Sequence, residues 1–267
     1  MILFPPAKIN LGLRVLYKRP DNYHEIDSCM VPIPFYDVLE ILPAEQFSFV
    51  QTGLIVDGDP ESNLCVRAFR MMQTRFAVPN VYLHLRKLIP MGAGLGGGSS
   101  DGAFTLIALN QLFDLQIPED KLMQYALTLG SDCPFFILNS PAFATGRGEI
   151  LKPIHVNLEG YTIVIVNPGI AISTKLAFSL IIPKVPVTNL EAIICEPVTS
   201  WKDNLINDFE EPVSKAPPEI ATIKQQLYNA GAVYACMTGS GSTVFGLFKK
   251  DQQIHLTFNN HYLFTLV

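Results

Sequence analysis

The chain has 267 residues, 49 % of them apolar and 16 % charged, and a formal net charge of −5. That length accommodates one large or two ordinary domains, and the composition is that of a packed globular protein rather than a disordered one. The acidic balance, with no run of Lys and Arg longer than two, argues against nucleic acid as a partner and leaves a small phosphorylated ligand compatible. Five scattered cysteines without a CxxC pair fit reduced thiols in a cytosol, so a cytoplasmic protein is expected. The N-terminus lacks the apolar block of a signal peptide, and no stretch approaches the length of a membrane span.

Residues 1–16 alternate well enough for a strand, with Ile9, Leu11, Leu13 and Val15 on one face and Lys8 and Asn10 on the other. A lone lysine there is more often solvated than functional on local grounds. Arg19 to Glu25 reads as a turn, in which Tyr23 and His24 are either surface residues or a flat platform for a ring. Val38–Leu42 and Phe47–Val50 read as strands. Glu61-Ser62-Asn63 leads into a helix carrying Leu64, Ala68, Met71 and Met72, and Val81–Leu85 is a further alternating strand followed by Lys87.

Next comes Pro90-Met91-Gly92-Ala93-Gly94-Leu95-Gly96-Gly97-Gly98-Ser99-Ser100-Asp101, in which five of the seven residues from Gly92 to Gly98 are glycine. Ala103, Leu106, Ile107 and Asn110 then recur at helical spacing, so a helix is expected over Gly102–Phe113, capped by Ser99, Ser100 or Asp101. A glycine loop feeding a helix start gathers free backbone N–H groups and the positive dipole end at one point, which suits phosphate. Neither GxxxxGK[ST] nor a Rossmann fingerprint fits, because Ser99 follows Gly98 and no acidic strand residue stands about 20 positions on. With no lysine in the loop, a triphosphate would need backbone dipoles, a metal ion and lysines from elsewhere. A flexible linker is the alternative, but linkers are flanked by more polar sequence and this loop lies between apolar segments.

Pro118-Glu119-Asp120 starts a helix that buries Leu122, Met123, Ala126 and Leu129 and stops at Gly130 in the C′ position. Asp132, in Ser131-Asp132-Cys133-Pro134-Phe135-Phe136, is either a turn residue or a carboxylate that needs a partner. Phe143–Gly148 reads as a hairpin or turn, and a domain boundary is expected near residues 152–159. Beyond it, Thr162–Val166 is a buried strand. Glu219–Asn229 is a helix stopped by Gly231, and Val233–Met237 and Val244–Phe248 are strands joined by Thr238-Gly239-Ser240-Gly241-Ser242. Strand, helix and strand pair suggest a ferredoxin-like α/β sandwich.

Pro6-Ala7-Lys8-Ile9-Asn10, the loop from Pro90 to Ser100, and Thr238-Gly239-Ser240-Gly241 resemble, in that order, the three signature motifs of the GHMP kinases. Tyr23-His24, Asn63 to Ala68 and Leu129 to Phe136 are similar to the branch that phosphorylates a cytidine-diphosphate-linked methylerythritol for isoprenoid synthesis without mevalonate. The likeness covers roughly residues 5 to 248; the chain after Phe248 matches poorly, and Asn22 stands where a glycine is usual. The resemblance implies an α+β, two-domain fold: a ribosomal protein S5 domain 2-like N-terminal domain over residues 1–155 and a ferredoxin-like C-terminal domain over 156–267. It implies Lys8 and Asp132 as the catalytic pair. Pro90, Met91, Gly92, Ala93, Gly94, Leu95, Gly96, Gly97, Gly98, Ser99 and Ser100 would hold ATP, with Asn63 and Lys87 approaching the nucleotide. Asn10, Tyr23, His24, Thr174 and Phe178 would bind the acceptor. Mg²⁺ is expected to rest on phosphates and water, with Ser100 the candidate protein oxygen. The partners implied are small molecules, with no nucleic acid or membrane, in a monomer or weak homodimer. The alternatives are a relative acting on another alcohol and a silent nucleotide binder.

Overall fold

The structure is a computed structural model that describes residues 1–56, 58–215, 217–258 and the backbone of Leu263–Leu266. In chain order the first elements are β1 (Ile2–Leu3), β2 (Pro6–Lys18), β3 (His24–Tyr36), β4 (Val38–Pro43), β5 (Ser48–Gly53) and α1 (Leu64–Phe76). They are followed by β6 (Val81–Lys87), α2 (Gly97–Leu112), α3 (Glu119–Leu129), α4 (Cys133–Leu138), β7 (Ala142–Thr145) and β8 (Ile150–Pro153). The remainder is β9 (Tyr161–Asn167), four short helices α5 (Thr174–Ser179), α6 (Leu190–Ile194), α7 (Trp201–Asn204) and α8 (Glu210–Ser214), then α9 (Glu219–Asn229), β10 (Tyr234–Met237), β11 (Val244–Lys249) and β12 (Leu263–Leu266).

The chain forms two compact units. The first holds Met1–Lys8, Pro32–Met91 and Gly96–Ser140; the second holds Ile9–Val31, Gly92–Leu95 and Pro141–Val267. The cut expected between residues 155 and 156 therefore falls inside the second unit. The β7–β8 hairpin that precedes it is paired to β3 at Ser28, Cys29 and Met30.

In the first unit, a sheet of order β1-β4-β6-β5 carries the helices α1 to α4. Its pairs are antiparallel apart from parallel β5 and β6. The inward face of β6 is Val81, Leu83 and Leu85, as the period of two requires, and Lys87 continues that buried face. Asn63 caps α1 by accepting the Cys65 N–H at 2.9 Å, and Val66, Phe69 and Met72 bury at helical spacing. A side chain the size of Phe69 contributes roughly 1.5–3 kcal/mol when fully buried.

The start of α2 differs from the sequence expectation. The helix begins at Gly97, inside the glycine run, and its N-cap is Gly96 with φ 73° and no side-chain cap bond. Ser99, Ser100 and Asp101 lie within the first two turns and do not cap. The cause is close packing: a Cβ on Gly97 would stand 2.8 Å from the Ile89 side chain and 3.0 Å from Lys87 Nζ, so the bare backbone settles onto the end of β6. Gly130 ends α3 as expected, but in extended backbone with φ 178° rather than a left-handed cap, because the chain turns directly into α4.

In the second unit, β2, β3, β7 and β8 form one sheet and β10-β11-β9-β12 another. All pairs in the latter are antiparallel. Relative to the chain, that order is second, third, first, fourth, the ferredoxin-like arrangement expected. Its core joins Val164, Val166, Ile220, Ile223, Leu227, Val244 and Phe248 with Leu13 and Val15 of β2. The 13-residue β3 has no counterpart in the sequence reading. Pro32 and Pro34 argue against a strand locally, yet both lie beyond the Ser28–Met30 register with β7, so no ladder bond to that neighbour is lost. Among the described residues no helix is long and apolar enough to cross a membrane.

Candidate active site

The glycine loop alternates left-handed glycines with buried apolar residues. Gly92, Gly94 and Gly96 hold φ of 63°, 79° and 73°, alternating with the buried Ala93 and Leu95 that pin the loop inward. The first amides of α2, which begins at Gly97, have no partner inside the helix. Ser100 Oγ is fully buried with no hydrogen-bond partner among the described residues. An orphaned hydroxyl at this helix start fits an oxygen ligand for a phosphate-borne cation. No group of three His, Cys, Asp or Glu among the described residues could hold a metal without such help.

Lys8 and Asp132, distant in sequence, meet in the first unit. Lys8 Nζ lies 3.8 Å from Asp132 Oδ2, the lysine 3 % exposed and the carboxylate 34 %. Burial pulls the Lys8 ammonium below its usual range, and the Asp132 charge and hydrogen bond pull it back up. The stem of Lys8 packs on the loop: a Cβ at Gly96 would stand 3.1 Å from Lys8 Cγ and 2.8 Å from the Phe136 ring. Asp132 is the N-cap residue of α4, yet its side chain makes no capping bond, so the carboxylate is left for Lys8 and for solvent.

In the second unit the three separated stretches meet. The Thr238 hydroxyl lies 3.2 Å from the Gly94 carbonyl and 3.3 Å from Asn10 Oδ1, and accepts the Asn10 N–H at 3.0 Å. Thr243 N–H reaches the Ala93 carbonyl at 3.3 Å. The glycine loop is thus held by the turn after β10, a contact that sequence spacing does not encode. Asn10 is expected to orient a substrate, but it is 1 % exposed and donates through Nδ2 to Ser28 Oγ at 2.8 Å.

Two residues expected near a nucleotide are also engaged within the fold. Lys87 is fully buried, and its ammonium is held between Asp37 and Asp101. The signal was present in the alternation with Val81, Leu83 and Leu85, since a lysine on an inward face requires a counter-charge. Asn63 is the cap of α1. Asn63→Ala is expected to lower stability by about 1 kcal/mol, read by denaturant melting.

Tyr23 and His24 do not make one platform. Asn22 takes the left-handed conformation, φ 66°, that a glycine would otherwise supply, and His24 opens β3. The His24 ring stacks on Phe178 with centroids 4.9 Å apart and 14° between planes. Phe178 in turn meets Phe209 edge-on. Tyr23 is half exposed, with the Arg147 guanidinium 4.4 Å over its ring. Burial, then the nearby Lys18 charge, lowers the pKa of His24, favouring the neutral ring. Thr174 opens α5, 3.2 Å from Ser240 Oγ.

Comparison with known proteins identifies the family and the fold. The family profile described as GHMP kinases N terminal domain matches residues 63–140, and that described as GHMP kinases C terminal matches residues 195–259. A protein of Parabacteroides distasonis named 4-diphosphocytidyl-2-C-methyl-D-erythritol kinase is 49 % identical over 94 % of this chain and 92 % of its own. One of the same name from Cytophaga hutchinsonii is 44 % identical over 97 % of each. A crystal structure of 4-(cytidine 5'-diphospho)-2C-methyl-D-erythritol kinase superposes with a TM-score of 0.81 at 34 % identity, covering 92 % of this chain and 90 % of that one. A Methanococcus jannaschii mevalonate kinase shares the fold at TM-score 0.70 and 13 % identity, covering 94 % of this chain and 92 % of its own. On these likenesses this chain belongs to the GHMP kinases, in the family of the 4-diphosphocytidyl-2-C-methyl-D-erythritol kinases.

Proposed function

We propose that this chain transfers the γ-phosphoryl group of ATP to the 2-hydroxyl of 4-diphosphocytidyl-2-C-methyl-D-erythritol, a step toward isoprenoid precursors that bypasses mevalonate. The observation that carries the reading is the buried Lys8 beside Asp132 with its stem on Gly96 of the glycine loop. Phosphoryl transfer depends on in-line positioning and on stabilising charge at the transferred oxygens. The N–H groups of Gly92 to Ser100 hold phosphate oxygens, and the α2 dipole favours their charge. Asp132 accepts the proton from the attacking hydroxyl. Lys8 orients Asp132 and polarises that hydroxyl. Mg²⁺, when bound, offsets charge on the phosphates, and Ser100 Oγ is the protein oxygen suited to hold it. The setting is the cytosol, consistent with five free cysteines, four of them buried.

Tyr23, His24 and Phe178 supply the faces for the cytidine ring, which replaces the Arg147 cover or the His24–Phe178 contact when it binds. Loss of one stacking face costs roughly 1–3 kcal/mol, so Tyr23→Ala and Phe178→Ala should raise KM for the acceptor about tenfold or more and leave KM for ATP unchanged. Steady-state turnover with Mg-ATP and a panel of alcohols tests the whole reading. Phosphorylation of the cytidyl acceptor, but not of homoserine or mevalonate, is expected; equal turnover of all three would overturn the assignment.

A further inference from the structure

Connections usually run over a protein's surface, but the one between α7 and α8 buries Leu205, Asn207 and Phe209 in the second unit. It lies between β2 and β10. The Leu13 N–H donates to the Ile206 carbonyl at 3.0 Å, the Asp208 N–H to the Leu13 carbonyl at 2.8 Å, and the Val15 N–H to Asp208 Oδ2 at 2.8 Å. On its other side stands Met237, the last residue of β10, which is an edge strand of its sheet. The Met237 N–H donates to Glu210 Oε2 at 2.9 Å, and the Met237 carbonyl accepts from Asn207 Nδ2 at 2.8 Å. Side chains thus take the backbone groups that a further strand would otherwise pair.

Asn207 is 3 % exposed, and its whole amide is engaged. Nδ2 donates to the carbonyls of Met237 and Gly239, both at 2.8 Å, and Oδ1 accepts the Phe209 N–H at 3.0 Å. A neutral amide supplies two donors and an acceptor together, which no carboxylate of that size can do. The two carbonyls flank Thr238, so the amide fixes the backbone on each side of the residue whose hydroxyl lies 3.2 Å from the Gly94 carbonyl. Gly239 itself packs on the loop: a Cβ there would stand 3.0 Å from Gly94 Cα and 3.0 Å from the Gly94 carbonyl oxygen. Phe209 then meets the Phe178 ring edge-on, with centroids 4.8 Å apart, and Phe178 carries the stacked His24 ring.

We propose that Asn207 is a positioning residue for ATP and that Phe209, next but one along the chain, is a positioning residue for the acceptor, so that one buried segment sets both substrates. Asn207 holds the turn after β10 and, through that turn, the Gly92–Leu95 part of the glycine loop. Phe209 backs the ring of Phe178. The inference rests on the glycine loop binding ATP and on Phe178 facing the cytidine ring. A buried amide that only stabilised the fold would change Tm and leave the relative affinities for the two substrates as they are.

The test is titration calorimetry of Mg-ATP alone and of the cytidyl acceptor alone. Asn207→Asp keeps the size of the side chain and the bond to the Phe209 N–H, but sets an anionic oxygen against two carbonyl oxygens. Its Kd for ATP should weaken about tenfold or more, and its Kd for the acceptor should stay within about twofold of the wild type. Asn207→Ser removes both bonds to the turn without adding charge; it should show the same split, and it stands in for the aspartate variant if that protein does not fold. Phe209→Leu keeps an apolar filler and loses the ring edge, so acceptor binding should weaken about threefold while ATP binding holds. Asn207→Ser combined with Thr238→Val should bind ATP about as weakly as the weaker single variant, because both act through one turn. Equal weakening of both substrates by the Asn207 variants, no weakening of either, or fully additive losses in the double variant would overturn this inference alone. A wild type that binds no ATP would overturn the phosphate reading of the loop, and this inference with it.

Discussion

Asp132→Asn is expected to lower kcat by about a hundredfold or more, the usual span for losing a positioned base, and to leave ATP affinity within about threefold. Asparagine keeps the size of the side chain and removes its capacity to take a proton. Because Asp132 makes no capping bond to α4, its replacement removes no helix cap, and Tm should barely change. Lys8→Met tests the other half of the pair. It deletes the cation 3.8 Å from Asp132 but fills the same buried space against Gly96 and Phe136, so the loss should appear in kcat rather than in folding. Two residues that act as a unit are non-additive. The double variant should therefore be about as slow as the slower single variant. Full activity in Asp132→Asn would remove the aspartate from the mechanism.

Gly94→Ala should produce the largest structural effect of any single methyl addition in the loop. The new Cβ would stand 2.0 Å from the Thr238 carbonyl oxygen and 2.9 Å from its carbon, with φ at +79°. A left-handed alanine costs about 1–2 kcal/mol by itself. The clash adds to this, because both partners are backbone and neither can rotate away. One of the two must move, either the glycine loop or the turn after β10. ATP Kd should weaken by at least about tenfold, and Tm should fall by about 5 °C or more. Gly92→Ala is the control: it has a similar positive φ, +63°, but no atom within 4 Å of its Cβ, so only the conformational cost applies. Calorimetry and thermal melts on both variants separate backbone strain from the contact with Thr238. Equal behaviour of the two would show that this contact does not shape the loop.

Local pattern carried a large share of the fold because it encodes which face of each element is buried. The alternation of Val81, Leu83 and Leu85, the helical spacing of Ile220, Ile223 and Leu227, and the stop at Gly231 each reappear in the structure. The β3 strand was not legible, because its two prolines are acceptable only once the pairing with β7 is known to stop at Met30. Asp37 carries no local mark at all. Its importance comes from lying opposite a lysine fifty residues away in sequence.

The sequence by itself determined the glycine run and, through motifs that resemble one family, the kinase family, since both rest on residue types in a fixed local order. The pairing of Lys8 with Asp132 was implied only by that resemblance and is made by the fold. Tertiary structure decided the rest. It moved the start of α2 back into the glycines, turned Lys87 inward between two carboxylates, and separated the rings of Tyr23 and His24. The physical reason is that backbone preference acts over a few residues, whereas a buried charge is tolerable only where the folded chain brings it a partner. That partner can come from any point along the sequence.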